Sequence, residues 1–310
     1  MTVVFIDGQA GTTGLQITER LQSRSDIDII YLSNEQRKDA ARRKESLQAA
    51  DIAILCLPDD AAREAVALAG SKTRILDAST AYRVDPSWTY GLAELTSQQR
   101  EKIATAQYVS NPGCYPQGFI LMIRPLIEAG LLAPSTPLRC NALSGYSGGG
   151  RQMIEARQAF DTNQIDQLNS QVYALTLQHK HVPEMEAYSG TKIRPIFSPT
   201  VAHYYKGMLV QIPLFVSELQ ASVQDIHRCL SARYEDEQFI DVLPLGRDAE
   251  PSGNLDPTRC NDSNRMEIML LGNEAQLLLV ARYDNLGKGA SGAAVQNLNL
   301  MLGVAEATGL

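Results

Sequence analysis

Cys114 is the residue whose surroundings are best suited to chemistry. It lies in Asn111-Pro112-Gly113-Cys114-Tyr115-Pro116, between a short apolar run that reads as a strand, Tyr108-Val109-Ser110, and a helical pattern from Gln117 to Ala129. A thiol at a helix start sees the positive end of the dipole and N–H groups without partners, which favours the reactive thiolate. The same N–H groups can stabilise an oxyanion on a carbonyl under attack. The other cysteines, Cys56, Cys140, Cys229 and Cys260, are scattered without short paired spacings and read as small buried hydrophobes. An acid–base partner is offered by His179-Lys180-His181-Val182-Pro183-Glu184. Imidazole titrates near neutrality, so His179, the preferred one, or His181 can help deprotonate the thiol and later protonate an alkoxide. The His-x-His pair has no matching cluster elsewhere, so no metal is expected. His203 and His227 are assigned to packing or surface.

A second constellation is built for phosphate. Val3-Val4-Phe5-Ile6 reads as a buried strand, and Gly8-Gln9-Ala10-Gly11-Thr12-Thr13-Gly14 leads from it into a helix beginning Leu15-Gln16-Ile17. Glycines let backbone approach a pyrophosphate, and the helix start offers it free N–H groups. The spacing is Gly-x-x-Gly-x-x-Gly, a departure from the usual dinucleotide fingerprint, and its position after the first strand is what gives it weight. At the end of the second apolar run an NAD enzyme presents an acid to the ribose; here stands Ser33, followed by Arg37, Lys38, Arg42, Arg43 and Lys44. Such cations suit a 2′-phosphate, so the expected cofactor is NADP(H).

The elements that must position these groups fall into two halves. Apolar runs at Val3 to Ile6, Ile27 to Leu32, Ile52 to Leu57 and Arg74 to Asp77 alternate with helical patterns, as βαβ units of a parallel sheet do. After Cys114 come longer alternating stretches, Leu138 to Ser144, Val172 to Leu177, Gly207 to Val216, Arg265 to Leu270 and Gln276 to Tyr283. Helical patterns at Phe119 to Ala129 and Val223 to Tyr234 interrupt them, so an α+β lobe with a mixed or antiparallel sheet is expected. Ala290 to Val304 reads as a last helix that can pack back on the first lobe.

With 310 residues, two lobes are the natural reading. The 35 acidic and 28 basic residues give a charge of −7, which repels a phosphate backbone and argues against nucleic-acid binding. Neither a signal-peptide pattern nor a membrane-spanning run is legible, and dispersed cysteines suit a reducing compartment, so a cytoplasmic enzyme without membrane contact is expected. A dimer or tetramer is the expected assembly, as symmetric oligomers are common among such enzymes.

These motifs resemble the short, type 2 form of the N-acetyl-γ-glutamyl-phosphate reductase family of arginine biosynthesis. The resemblance covers nearly the whole chain. Beyond the glycine turn and the cysteine motif it is carried by Ala53 to Asp60, Asp77-Ala78-Ser79-Thr80-Ala81-Tyr82-Arg83, Ser144-Gly145-Tyr146-Ser147-Gly148-Gly149-Gly150-Arg151, His179 to Met185 and Asn285-Leu286-Gly287-Lys288-Gly289-Ala290. It implies the α/β architecture of semialdehyde and glyceraldehyde-3-phosphate dehydrogenases. A Rossmann-type NADP-binding domain, 1–113 plus 286–310, would then carry an inserted α+β catalytic domain, 114–285. It implies a small acyl-phosphate substrate, Cys114 as nucleophile, and cofactor contacts from Gly8, Gly11, Thr12, Thr13, Gly14, Ser79, Ser144, Gly145, Asn285, Gly287 and Lys288. Arg83, Arg151 and Lys180 are candidates for the substrate's anionic groups by motif proximity. Two other readings stay open: a reductase of a shorter acyl phosphate, like aspartate-semialdehyde dehydrogenase, and a non-catalytic NADP-binding sensor.

Overall fold

A computed structural model describes residues 1–33, 35–159, 170–246 and 252–310. Contacts divide the chain into two units, Met1–Gly113 with Ala290–Leu310, and Cys114–Gly289.

In the first unit β1 (Thr2–Asp7), α1 (Thr12–Leu21), β2 (Ile27–Ile30), α2 (Ala40–Ala49), β3 (Ile52–Leu55), α3 (Asp59–Ala69), β4 (Arg74–Asp77), β5 (Thr89–Tyr90), α4 (Gln99–Thr105) and β6 (Tyr108–Ser110) are followed, far along the chain, by a C-terminal helix, Gly292–Leu302. The strands form one parallel sheet ordered β2-β1-β3-β4-β6-β5. Period-two geometry explains the near-continuous apolar runs, because both faces are covered. Val4, Ile6, Ile52 and Ile54 pack with Ile17 and Leu21 of α1 and with Val295 and Leu298 of the C-terminal helix. Phe5, Ala53 and Leu55 pack on the other side against Leu47 of α2 and the alanines Ala62, Ala65 and Ala69 of α3. From β1 the chain goes one way to β2 and then the other way to β3, so the strand order reverses between β1 and β3. Ligands of open α/β sheets bind beyond the carboxyl ends of the strands at such a point.

The second unit contains α5 (Cys114–Glu128), β7 (Arg139–Ser144), α6 (Gly150–Gln158), β8 (Gln171–Val172), α7 (Val182–Ser189), β9 (Ile196–Val201), β10 (Met208–Phe215), α8 (Val223–Tyr234), β11 (Ile240–Val242), β12 (Met266–Gly272) and β13 (Gln276–Tyr283). Its sheet runs β11-β12-β13-β10-β7-β9-β8 and is mixed, with β7–β9 and β11–β12 parallel. Register assigns the side chains to two faces. Cys140, Ala142, Phe197, Met208, Val210, Ile212, Leu279, Ala281 and Tyr283 share one face and are all buried, with α5 packed on β10 and β13. The opposite face carries a second buried cluster, Leu209, Met269 and Val280, beside Leu143, Pro213 and Leu278, which are partly buried, and Ile196 and Phe215, which are exposed.

Helix α5 is nearly all buried despite Pro125 in its interior. Proline has no N–H to offer the carbonyl four residues back, and that carbonyl, of Leu121, instead accepts a 2.6 Å hydrogen bond from the buried Tyr234 hydroxyl.

Two sequence expectations need correction. The strand expected over Val172 to Leu177 pairs only at Gln171–Val172. Ala174 and Leu177 then take left-handed φ values of 54° and 58°, and Leu177 N donates to Ala174 O in a turn. Val172, Leu175 and Leu177 are exposed, so this stretch has no buried face to enforce a register. The last helix, expected from Ala290, opens as a π-turn over Gly287–Ser291 and becomes α-helical at Gly292. Among the described residues no helix is long and apolar enough to cross a membrane.

Candidate active site

Cys114 is the first residue of α5 and is half-buried. Its carbonyl accepts a 2.6 Å bond from the Tyr283 hydroxyl, which in turn accepts from Gly118 N at 3.2 Å. The phenol thus stands between the two ends of the first helical turn and fixes it from β13. On another side the chain passes so close that a Cβ on Gly289 would lie 3.0 Å from the Cys114 Cβ. The loop before Gly289 is held by Asp284, whose carboxylate accepts from Leu286 N and Asp262 N and whose carbonyl accepts from Gly289 N, all at 2.8–2.9 Å. The remaining thiols sit in environments that keep them protonated. Desolvation pushes Cys56 and Cys260 up to about 12, and burial also raises Cys140 and Cys229. Only Cys114 combines access with a helix start.

Tyr115 brings both histidines to this corner. Its ring centroid lies 5.8 Å from that of His179 and 5.7 Å from that of His181. His179 is half-buried and His181 buried. His179 Nδ1 accepts from His181 N at 3.1 Å. In the neutral ring the proton therefore stays on Nε2, so His179 presents a donor, and it takes up a second proton at Nδ1 only by giving up that contact. Tyr115 and Tyr173 join hydroxyl to hydroxyl at 3.0 Å. Burial drives both phenols upward, Tyr173 to about 12, and the nearby Cys114 adds to the shift of each. They remain neutral hydrogen-bonding groups at any physiological pH.

Ser144 and Gly145 end β7 beside the Asn285 loop. Gly207 N donates to Asn285 Oδ1 at 2.8 Å, Asn285 Nδ2 donates to Ser147 Oγ at 2.9 Å, and Gly145 N donates to Gly207 O at 2.9 Å. The Ser144 side chain also hydrogen-bonds Tyr115. Any side chain at Gly145 would strike the Tyr205 carbonyl at 2.5 Å, which is why glycine is required there. Lys288 is buried with its ammonium 5.7 Å over the Phe239 ring, a cation–π contact.

In the first unit the glycine turn fits a dinucleotide on structural grounds. Gly8 has φ 93°, and a Cβ there would lie 2.3 Å from the Cys56 carbonyl; one on Gly14 would lie 2.4 Å from Gly8 O. Helix α1 starts at Thr12 without a side-chain cap and with no acid in its first turn, leaving its N–H groups to an anion. Ser79 donates from Oγ at 2.6 Å to the buried Asp77, whose carboxyl is pushed up to about 6 by burial. Ser33 and the exposed Arg37 and Lys38 lie just after β2, and among the described residues no carboxylate pairs with either cation. Arg42 instead pairs with Glu45 and Arg43 with Asp7.

Family models match both units: residues 3–106 fit the semialdehyde dehydrogenase NAD-binding domain and residues 114–285 the semialdehyde dehydrogenase dimerisation domain. The chain is 50% identical to N-acetyl-gamma-glutamyl-phosphate reductase 2 of Nostoc sp., over 99% of its own length and 98% of the relative's. It is 49% identical to the protein of the same name in Pseudomonas putida, with 99% of each covered. The chain belongs to the N-acetyl-gamma-glutamyl-phosphate reductase family. Solved structures similar to this family member include aspartate semialdehyde dehydrogenase II from Vibrio cholerae, TM-score 0.73 at 14% identity, and aspartate semialdehyde dehydrogenase from Francisella tularensis, TM-score 0.75 at 14% identity. These cover 97% of this chain and 98% and 100% of theirs, a likeness of fold.

Within the second unit, then, Cys114, His179, His181, Ser144, Gly145 and Asn285 converge. The three cations expected at the substrate stand in different surroundings. Arg83 belongs to the first unit, where its guanidinium donates to Ala78 O at 3.0 Å. Arg151 is 71% exposed and tied to Glu155, and Lys180 is exposed. Tyr173, Tyr283 and Asp284 went unrecognised from sequence as parts of this corner. Tyr283 and Tyr173 reach the cysteine motif from far along the chain, and Asp284 holds the loop before Gly289, contacts that no local spacing encodes.

Proposed function

We propose that this chain reduces N-acetyl-γ-glutamyl phosphate to N-acetylglutamate semialdehyde and inorganic phosphate, using NADPH, in arginine biosynthesis. The observation carrying this reading is about 50% identity across nearly the full chain to reductases of that name, joined to a thiol at a helix start whose neighbour Tyr115 packs against two imidazoles.

The Cys114 thiolate attacks the γ-carbonyl carbon, the bond to the phosphate oxygen breaks, and phosphate leaves, giving a thioester. The first-turn N–H groups of α5 stabilise the oxyanion, and His179 Nε2–H is a further donor to it. When bound, NADPH supplies the hydride. Gly8 to Gly14 and the α1 N–H groups would hold its pyrophosphate, and Arg37 and Lys38 would meet its 2′-phosphate. His179, carrying the proton taken from the Cys114 thiol, gives it to the alkoxide and takes it back as the thiohemiacetal collapses to aldehyde and thiolate. Five cysteines spread along the chain without short paired spacings suit a reducing compartment, and we place the enzyme in the cytoplasm.

The reverse assay tests the substrate. Phosphate-dependent formation of NADPH from N-acetylglutamate semialdehyde is expected to exceed that from aspartate semialdehyde by at least about a hundredfold, because an acetamido-binding site left unfilled loses its hydrogen bonds. Preference for aspartate semialdehyde would refute the substrate.

We further infer a homo-oligomer, dimer or tetramer, joined through the part of the second sheet's outer face where Pro213, Phe215 and Leu278 lie together. A family model described as a dimerisation domain covers this unit, which supports the reading. Light scattering that finds only the 33.9 kDa monomer would overturn it.

A further inference from the structure

Asp7 is the last residue of β1 and directly precedes the glycine turn. It stands at the strand-order reversal between β1 and β3, on the α2 and α3 side of the sheet, since it follows Phe5 by two residues. A carboxylate here is a paradox. The crevice at this point has to admit a pyrophosphate, and like charges at short range in a partly buried site repel strongly. Arg43, one turn into α2, resolves it. Its Nη2 and Nε donate to the same Asp7 oxygen at 2.9 and 3.2 Å, and the two side chains are 13% and 6% exposed. Glu64 of α3 lies 3.9 Å from Arg43 Nη1 but is 56% exposed, so solvent screens it and Asp7 is the principal partner.

We propose that Arg43 is a positioning residue for the cofactor: it cancels the Asp7 charge at the dinucleotide turn and does not itself touch the nucleotide's 2′-phosphate. This rests on the cofactor reading above and adds a division of labour within one run of cations. Arg37 and Lys38 distinguish NADPH from NADH; Arg43 makes the crevice able to hold either. Asp7, for its part, fixes the guanidinium against the end of β1 and so ties α2 to the turn.

The two roles separate in a titration of full-length protein with NADPH and with NADH. Arg43→Met leaves Asp7 unpaired beside the pyrophosphate and is expected to weaken both nucleotides by about the same factor, at least about tenfold. Removing the stranded charge as well, in Asp7→Asn/Arg43→Met, is expected to restore both to within about threefold of the wild type, although no ion pair has been rebuilt. Arg43→Lys keeps the charge without the fork and is expected to stay within about threefold. A merely structural pair would lower the melting temperature and leave nucleotide affinity untouched. Unchanged affinity in Arg43→Met, a double variant no better than the single one, or a loss confined to NADPH would each overturn the proposal. Should Arg43→Met fail to fold, the double variant and Arg43→Lys carry the test, and weakened binding in either refutes it. Wild-type protein that binds neither nucleotide removes the cofactor reading and this inference together; wild-type binding with failed rescue removes this inference alone.

Discussion

Cys114→Ala is expected to lower turnover at least about a thousandfold while NADPH binding and the melting temperature hold within error, because no other group in the second unit replaces the nucleophile. The structural grounds are specific. Of the five thiols, four are held in their neutral form by their surroundings, two of them pushed up to about 12. Cys114 alone begins a helix, with its own carbonyl tied to Tyr283 and its Cβ in contact range of the Gly289 backbone corner. Alanine fits that space without strain, so the packing that aims the side chain survives. Steady-state rates together with a fluorescence titration of NADPH check both halves of the statement. Turnover that persists in the variant would mean that the acyl group is not carried on this sulfur, and a non-catalytic nucleotide sensor would then have to be weighed again.

His179→Ala is expected to lower kcat about a hundred- to ten-thousandfold, the range for a positioned proton-transfer group, with little change in KM. His179 is the more exposed member of the pair, and its Nδ1 accepts from His181 N at 3.1 Å, so Nε2 is the nitrogen that the proposal assigns to proton transfer. His181 is buried and caps the start of α7 with its backbone, a supporting position. Its replacement is expected to act first on stability. A kcat that collapses in His181→Ala and survives in His179→Ala would reverse the assignment. Rescue of His179→Ala by added imidazole would mark the loss as one of proton transfer, since a packing defect does not respond to a small base.

How much of this was legible beforehand depends on what kind of contact encodes it. The strands Arg74–Asp77, Tyr108–Ser110 and Gln276–Tyr283 were readable to the residue, because burial on one or both faces writes itself into the sequence as an apolar run or an alternation. The stretch after Val172 misled for the same reason. Val172, Leu175 and Leu177 look like a strand face, yet all three point to solvent and the backbone turns through left-handed φ. Glycine positions were legible by context and are explained by collision: Gly8 and Gly14 each stand where a Cβ would overlap a backbone oxygen. The cysteine and histidine motifs announced themselves as residue types.

What sequence could not supply was the set of long-range partners. Tyr283 reaches Cys114 across 169 positions, and Tyr173 reaches Tyr115 across 58. Within the basic run Arg37 to Lys44 the sequence offers five cations for a 2′-phosphate, with Arg37 and Lys38 the preferred ones. Three-dimensional structure adds that Arg43 is engaged by Asp7 and Arg42 by Glu45. Arg151, chosen for its place in a motif, pairs with Glu155 on its own helix, a contact that the motif did not announce.

Mass spectrometry of the wild-type protein mixed with N-acetyl-γ-glutamyl phosphate, with NADPH withheld, reaches the central claim in one step. The account predicts a mass gain equal to the N-acetylglutamyl acyl group, confined to the peptide containing Cys114, lost on treatment with hydroxylamine and discharged on adding NADPH. An unmodified Cys114 peptide under conditions where the complete mixture turns over would contradict it.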